Sequence, residues 1–227
     1  MDSNAPGMRS CTACGRADAE TPSSFMQRFR AQFGKPVGFW GQVAGWIMGH
    51  RPSNRERNAW AASLLNVQPS DHVLEIGCGP GLAIARMSTL VSHGQIVGID
   101  HSEVMLDQAR KRNTHSIARG RVELLLASVS DLPPFRLPFD KILSVNSVQY
   151  WGNPTAVLRT LRRLMNPGGR IAIALQPRFQ GATNKDTLEA GRDMVEQLKE
   201  AGFRQVRLEI KPMKPVSVAC AVGINEA

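Results

Sequence analysis

From Asp71 onward, short apolar runs alternate with longer segments whose apolar residues recur every three or four positions. The short runs read as strands: His72 to Ile76, Gln95 to Ile99, Val122 to Ala127, Lys141 to Val145, Arg170 to Leu175, Gln205 to Ile210 and Val216 to Ile224. Helices are predicted to begin near Pro80, Ser102 and Pro154, and another to run from about Thr187 to Ala201. Near-continuous apolar strands linked by helices predict a parallel sheet buried on both faces. Only Lys211 to Pro215 separates the last two strands, too little for a parallel crossover, so they form a hairpin and leave one strand antiparallel. The expected fold is α/β, a doubly wound, seven-stranded, mostly parallel sheet with an antiparallel strand at one side.

The chain ahead of Asp71 has a different texture. Phe25, Met26, Phe29 and Phe33, then Val37, Phe39, Trp40, Val43, Trp46, Ile47 and Met48 are spaced as helical faces between Ser24 and His50. Ser53 with Glu56 three residues on reads as a capping box for a third helix carrying Trp60, Ala61, Leu64 and Leu65. Residues 1–22 hold hardly any large apolar side chain and read as a disordered tail. The expected division is therefore a tail at 1–22, an N-terminal helical lid at 23–70 and the sheet-bearing core at 71–227.

Composition adds exclusions. At 227 residues with 42% hydrophobic and 21% charged residues, the chain is long enough for one substantial core and unlike disordered or fibrous sequences. No apolar stretch reaches the roughly 18 to 20 residues that span a bilayer. Met1 to Ser10 shows no signal-peptide core, so a cytoplasmic location is expected. A net charge of +9 favours phosphate-bearing surfaces, nucleic acid or anionic lipid, or belongs simply to a basic enzyme. Cys11, Cys14, Cys78 and Cys220 are too sparse for a disulfide framework, and Cys11 and Cys14 lack the second pair a structural zinc needs. No metal is expected.

The chemistry is concentrated where the first strand runs into Glu75-Ile-Gly77-Cys78-Gly79-Pro80-Gly81 and then a helix. Glycines there permit a sharp turn and close approach of a ligand, while the helix start offers unpaired N–H groups. The dinucleotide fingerprint asks for Gly where Leu82 stands, and an acidic residue lies two places before the first glycine. The second strand ends in Asp100, a carboxylate able to accept both hydroxyl hydrogens of a ribose. With Ser128 to Pro133 after the third strand, Phe139-Asp140 opening the fourth and Pro167-Gly168-Gly169 before the fifth, residues 71 to 224 resemble the class I S-adenosylmethionine-dependent methyltransferases, of the small, type 11 kind.

That resemblance implies S-adenosyl-L-methionine as methyl donor and S-adenosyl-L-homocysteine as product. By position it places Glu75, Gly77, Cys78, Gly79 and Gly81 beside the methionine moiety, Asp100 on the ribose, His101 and Met105 at the ribose and adenine borders, and Ser128 and Val129 at the adenine. Ser144, ending the fourth strand, joins this cofactor-binding set. Many relatives carry Asp where Ser128 stands, and Ser accepts more weakly than a carboxylate. Cys78 reads as a small residue in a tight loop, with nothing nearby in sequence to activate a thiol.

Ligands of doubly wound sheets bind beyond the carboxyl ends of the strands, which puts the acceptor near Asn146, Gln149 and Tyr150. Trp151 is either an aromatic wall or a packing residue. No Asn-Pro-Pro-Tyr-like run follows the fourth strand, which lowers base methylation, and the core cysteines do not suit arsenite methylation. None of His50, His72, His93, His101 and His115 lies on that loop, so acceptors needing no dedicated base are favoured. The leading reading is methyl transfer to a small-molecule or lipid acceptor. An RNA or protein methyltransferase and a non-catalytic cofactor-binding module are the alternatives. Arg28, Arg30, Lys35, Arg51, Arg55 and Arg57 flank the lid with only Glu56 opposing, which suggests peripheral contact with an anionic membrane, against the plainer reading of packing on the sheet. Oligomeric state is not legible.

Overall fold

The computed structural model describes residues 52–226. The expected tail, the Cys11–Cys14 pair and the helices between Ser24 and His50 lie outside the described residues. In chain order the elements are α1 (Pro52–Ser63), β1 (His72–Ile76), α2 (Leu82–Met87), β2 (Gln95–Asp100), α3 (Glu103–Ala118), β3 (Val122–Leu126), β4 (Phe139–Val145), a 3-10 turn (Val148–Tyr150), α4 (Pro154–Arg163), β5 (Met165–Leu175), α5 (Asn184–Glu200), β6 (Arg204–Lys211) and β7 (Val218–Asn225).

The seven strands form one sheet in the order β3-β2-β1-β4-β5-β7-β6. β1 pairs in parallel with β2 and with β4, so the chain reverses its direction of travel across the sheet beside β1. β7 is the antiparallel strand, paired with β5 on one side and β6 on the other, so the hairpin inserts its second strand inside the sheet and leaves β6 at the edge. Successive strand residues face opposite ways. Leu74, Ile76, Ile99 and Ile142 pack with Leu158 and Leu161 of α4 and Leu198 of α5 on one face, while Val73, Leu143, Ala172 and Cys220 pack with Ala61 and Ala62 of α1, Ile84 of α2 and Leu106 of α3 on the other. Sandwiching between two helical layers explains the near-continuous apolar strands.

Three local expectations are corrected. Ser53 lies within the first turn of α1, which starts at Pro52, so it is not an N-cap; proline suits a helix start because its missing N–H is not needed there. Pro167, Gly168 and Gly169 do not precede β5 but lie within it, at an irregularity where the β4 register shifts between Phe139 and Lys141. α5 starts at Asn184, three residues before the expected Thr187, because Thr183 and Asp186 form a reciprocal capping box with the short acid Asp. Asn153 caps α4 as its side chain accepts the Ala156 N–H at 3.0 Å, with Pro154 next.

Candidate active site

The carboxyl ends of β1, β2 and β4 meet on one edge of the sheet, and a carboxylate ties two of them together. Asp100, 6% exposed, accepts the Gly79 N–H through Oδ2 at 2.8 Å and the Ser102 N–H through Oδ1 at 2.9 Å. Each oxygen keeps capacity for a further hydrogen bond. The Cys78 N–H donates to the Ile99 carbonyl at 2.9 Å, closing the same junction from the backbone. His101 is exposed, with Nδ1 3.7 Å from Asp100 Oδ1, and Met105 is buried in the first turn of α3.

The three loop glycines are required for different reasons. A Cβ on Gly77 would lie 2.5 Å from Ser147 Oγ, and one on Gly81 would lie 2.5 Å from Asn113 Nδ2 and 3.0 Å from Ala109 Cβ. These two glycines let protein atoms approach. Gly79 has φ +51° and, among the described residues, nothing within 4 Å of a would-be Cβ, so the space it leaves faces the open site. The loop is held from α3, where Arg112 donates to the Pro80 carbonyl and Asn113 Nδ2 to the Gly81 carbonyl. Sequence reading missed both, because an arginine and an asparagine inside a helix carry no local signal of the loop they hold.

Glu75 is 1% exposed, and its Oε2 has no hydrogen-bond partner among the described residues. Burial, with a smaller contribution from the Asp100 charge, pushes its carboxyl well above the usual range. Burial likewise pushes the Cys78 thiol well up, so this side chain fills space and is no nucleophile. Ser144 is fully buried with Oγ unpartnered.

A cleft of about 520 Å³ opens beside Asp100, lined by His101, Leu126, Ala127, Ser128 and the run from Asp131 to Pro134. Ser128 Oγ and Ser130 Oγ are 2.8 Å apart, and the Asp131 N–H donates to the Ser128 carbonyl, which folds this loop into a tight turn. Val129 is half-buried against the core and does not line the cleft. Asp131, Leu132 and Pro133 do line it. Their signal in the sequence was the acid-Leu-Pro run after the third strand.

At the end of β4 the backbone turns through Asn146 in the left-handed region, φ +54°. Its Oδ1 accepts the Gln176 N–H at 2.8 Å beyond β5, and its carbonyl accepts Gln149 Nε2 at 2.8 Å. Gln149 is buried with Oε1 unpartnered. Tyr150 is exposed, and partial burial raises its phenol while the hydrogen bond with Gln149 opposes that shift. Trp151 is 2% exposed and donates Nε1–H to Ser147 Oγ at 3.1 Å. The indole is therefore a packing residue that positions the serine under Gly77, and the aromatic-wall reading falls. Arg57 is also corrected as a membrane-facing flank: it is 5% exposed, donating to Gln176 and Asn54. Glu56 pairs with Lys211 at 3.2 Å.

This geometry meets its counterpart in known proteins. A family profile described as a methyltransferase domain matches residues 73–169, from β1 into β5. The uncharacterized methyltransferase YdaC of Bacillus subtilis is 33% identical over 185 residues, covering 82% of this chain and 99% of that protein. The chain belongs to the S-adenosylmethionine-dependent methyltransferases. A second relative, the 27-O-demethylrifamycin SV methyltransferase of Amycolatopsis mediterranei, is 28% identical over 165 residues, covering 69% of this chain and 60% of that one. Among solved structures, a SAM-dependent methyltransferase from Aquifex aeolicus superposes with a TM-score of 0.63 at 19% identity, over 81% of this chain and 97% of that one, which is a likeness of fold.

S-Adenosylmethionine, the methyl donor of this family, fits the residues present. The space above Gly79, the remaining capacity of Asp100 and the orphaned Glu75 oxygen lie together on the edge where β1 and β2 end. Among the described residues of this methyltransferase, no group of three His, Cys, Asp or Glu side chains is placed to hold a metal ion, and no helix is long and apolar enough to cross a membrane.

Proposed function

We propose that this methyltransferase acts on a small-molecule or lipid acceptor, with the donor held by the β1 and β2 ends and the acceptor held by Asn146, Gln149 and Tyr150 at the β4 end. Asp100 takes the ribose, Glu75 and the loop from Gly77 to Gly81 take the methionine end, Ser144 lies beneath them, and His101, Met105 and Ser128 border the adenine, with Val129 contributing through its backbone while its side chain packs on the core. The observation that carries the donor half is the Asp100 link to Gly79, because it aligns an acceptor-rich carboxylate with the one glycine of this loop whose missing side chain leaves open space among the described residues. When bound, S-adenosylmethionine supplies an electrophilic methyl carbon. The chain's task is then orientation of the acceptor lone pair and exclusion of water.

Asn146 is suited to that task because its side chain and carbonyl are both tied down, which fixes the backbone at the β4 end. Gln149 contributes a buried amide oxygen with no competing partner among the described residues. The raised Tyr150 phenol stays protonated near neutral pH, so it donates a hydrogen bond and is no base. That favours a nitrogen or an already ionised oxygen as the attacking atom. The rifamycin relative, whose name gives a small-molecule acceptor, supports the acceptor class. The helices between Ser24 and His50 are proposed as the cover over this pocket, and the cytoplasm as the setting. Release of S-adenosylhomocysteine on incubation with fractionated acceptor pools tests the reading. Turnover confined to the small-molecule and lipid fractions is expected, and turnover only with RNA or protein would replace it.

A further inference from the structure

At the far end of the sheet from the donor site, β6 pairs with β7 on one side, and among the described residues no strand lies against its outer edge. Its residues alternate between two faces. Val206 and Leu208 turn toward α5 and pack on the core, with Leu208 so close to Gly191 of that helix that a Cβ there would come within 2.8 Å of Leu208 Cδ1. Ile210 continues this face and is 43% exposed, and Leu188, three residues before Gly191 on α5, is 38% exposed. The apolar strip therefore runs out to the edge unfinished.

The opposite face of the strand carries charges of both signs. Arg207 Nε lies 2.9 Å from Glu209 Oε1, with both side chains close to half exposed, and the residues beside them on β7, Val222 and Cys220, are uncharged. Lys211 ends the same face, paired with Glu56 of α1 at 3.2 Å. Toward the start of the strand the register slips between Arg204 and Arg207, where Gln205 takes φ +48°. Such a bulge ends regular pairing, so the edge open to another strand runs from Val206 to Ile210.

An open edge is a template for another strand, and this stretch is complementary to itself. About a two-fold axis through Leu208, two antiparallel copies set Arg207 opposite the second copy's Glu209 and Glu209 opposite the second copy's Arg207, while Leu208 meets Leu208 and Val206 meets Ile210. Centring on Arg207 would set arginine on arginine, centring on Glu209 would set glutamate on glutamate and Arg207 on Lys211, and a slip by one residue would set charges opposite apolar side chains. Like charges directly opposite destabilise an antiparallel pair, whereas unlike charges and apolar pairs stabilise it. We propose that β6 is the contact between two copies of this chain, joined antiparallel about Leu208 so that their sheets run on as one. β1 and β2 lie toward the other end of the strand order, so both donor sites stay open. Five residues a side make a small contact, and the dimer is accordingly weak, with a population that follows concentration.

The test follows the mass of the full chain by sedimentation velocity from low micromolar to several hundred micromolar protein. A rise with concentration from the 24.9 kDa of one chain toward twice that mass is expected. Arg207→Glu and Glu209→Arg each place like charges opposite one another and should each weaken self-association at least tenfold, with the fold checked by circular dichroism and by unchanged affinity for S-adenosylhomocysteine. Mixed in equal amounts, the two variants should dimerise with each other, because every glutamate then faces an arginine. The double exchange, Arg207→Glu with Glu209→Arg, should restore the homodimer. A chain that stays monomeric throughout overturns the proposal, as does a dimer that both single variants leave intact. Loss in both variants with no recovery on mixing or in the double exchange overturns the register, and the proposal with it.

Discussion

Asp100→Ala removes one side chain from two jobs, and the structure lets the jobs be weighed separately. In the free protein the carboxylate accepts the Gly79 and Ser102 N–H groups at 2.8 and 2.9 Å. A hydrogen bond to a charged group contributes about 1.5–3 kcal/mol, and because both N–H groups are only partly buried, water replaces part of what is lost; about 2–3 kcal/mol of stability should disappear in total. In the complex two ribose hydroxyls would add two more bonds to the same oxygens, and the glycine loop would lose its anchor. Loss of about 3–4 kcal/mol in binding follows, which is roughly 150- to 1000-fold in affinity.

Asp100→Asn keeps the volume and removes the charge. An amide has one accepting oxygen and one NH₂, and whichever way it turns, the NH₂ meets either the Gly79 or the Ser102 N–H donor to donor. The isosteric variant should therefore still lose about ten- to a hundredfold in affinity, although its volume is unchanged. Calorimetric titration with S-adenosylhomocysteine reads the affinity, and thermal unfolding of the free protein reads the first job. If Asp100→Ala, folded by circular dichroism, binds within about threefold of the unaltered protein, neither Asp100 nor the junction it forms with Gly79 belongs to the donor site.

Gly79→Val should keep the fold, since nothing lies within 4 Å of its Cβ, at a conformational cost of about 1–2 kcal/mol for a branched residue at φ +51°, yet abolish S-adenosylhomocysteine binding; retained affinity shows that the ligand avoids this loop. Gly77→Ala should do the reverse in part, because its methyl meets Ser147 Oγ at 2.5 Å: a lower melting temperature in the free protein is expected, and an unchanged one contradicts the packing described. For Glu75 the folded carboxyl is raised above its ordinary value of 4.5, so as pH climbs past that value the unfolded chain loses its proton first and stability falls until the folded group also ionises. Glu75→Gln should remove that decline and stabilise the free protein near neutral pH; if the carboxylate receives the donor's ammonium, affinity for S-adenosylhomocysteine rises with pH in the unaltered protein and not in the variant, and parallel pH profiles for the two would dismiss the pairing.

What could be read from sequence was whatever is written locally. Strands of β1 and β2 type announce themselves by unbroken apolar runs, and Asp100 stands out because a charge ends such a run. Sequence order also gave the hairpin of β6 and β7, though not that β7 would insert beside β5 and leave β6 at the edge. The misses share one physical origin, which is that their partners are far away along the chain. Arg57 looked like a surface charge beside other arginines, and only the fold brings it to Gln176, 119 residues on. Trp151 looked available to a ligand until Ser147 claimed its N–H. The glycines of one loop could not be told apart by type, since Gly81 answers to Asn113 and Ala109 of α3 while Gly79 answers to empty space.

The two edges of the sheet show why the site lies where it does. Parallel strands end with backbone N–H groups that no neighbouring strand pairs, and side chains from adjacent strands must take them up. At the amino edge acidic side chains do this: Asp71 accepts the Gln68 N–H at 2.7 Å and lies 3.7 Å from Lys141 Nζ, while Asp140 accepts the His72 N–H and Asn166 Nδ2, each at 2.8 Å. At the carboxyl edge the same devices recur, Asp100 to Gly79 and Asn146 to Gln176, but the accounting does not close. Among the described residues the buried side-chain oxygens without a partner are those of Glu75, Ser144 and Gln149, all at or just beyond the ends of β1 and β4. A buried oxygen left unpaired costs about 1–3 kcal/mol, and these three gather where the proposed ligands would remove that cost. The donor and acceptor chemistry proposed for this edge supplies the missing hydrogen-bond donors: the ammonium for Glu75 and the acceptor's own N–H or O–H for Gln149.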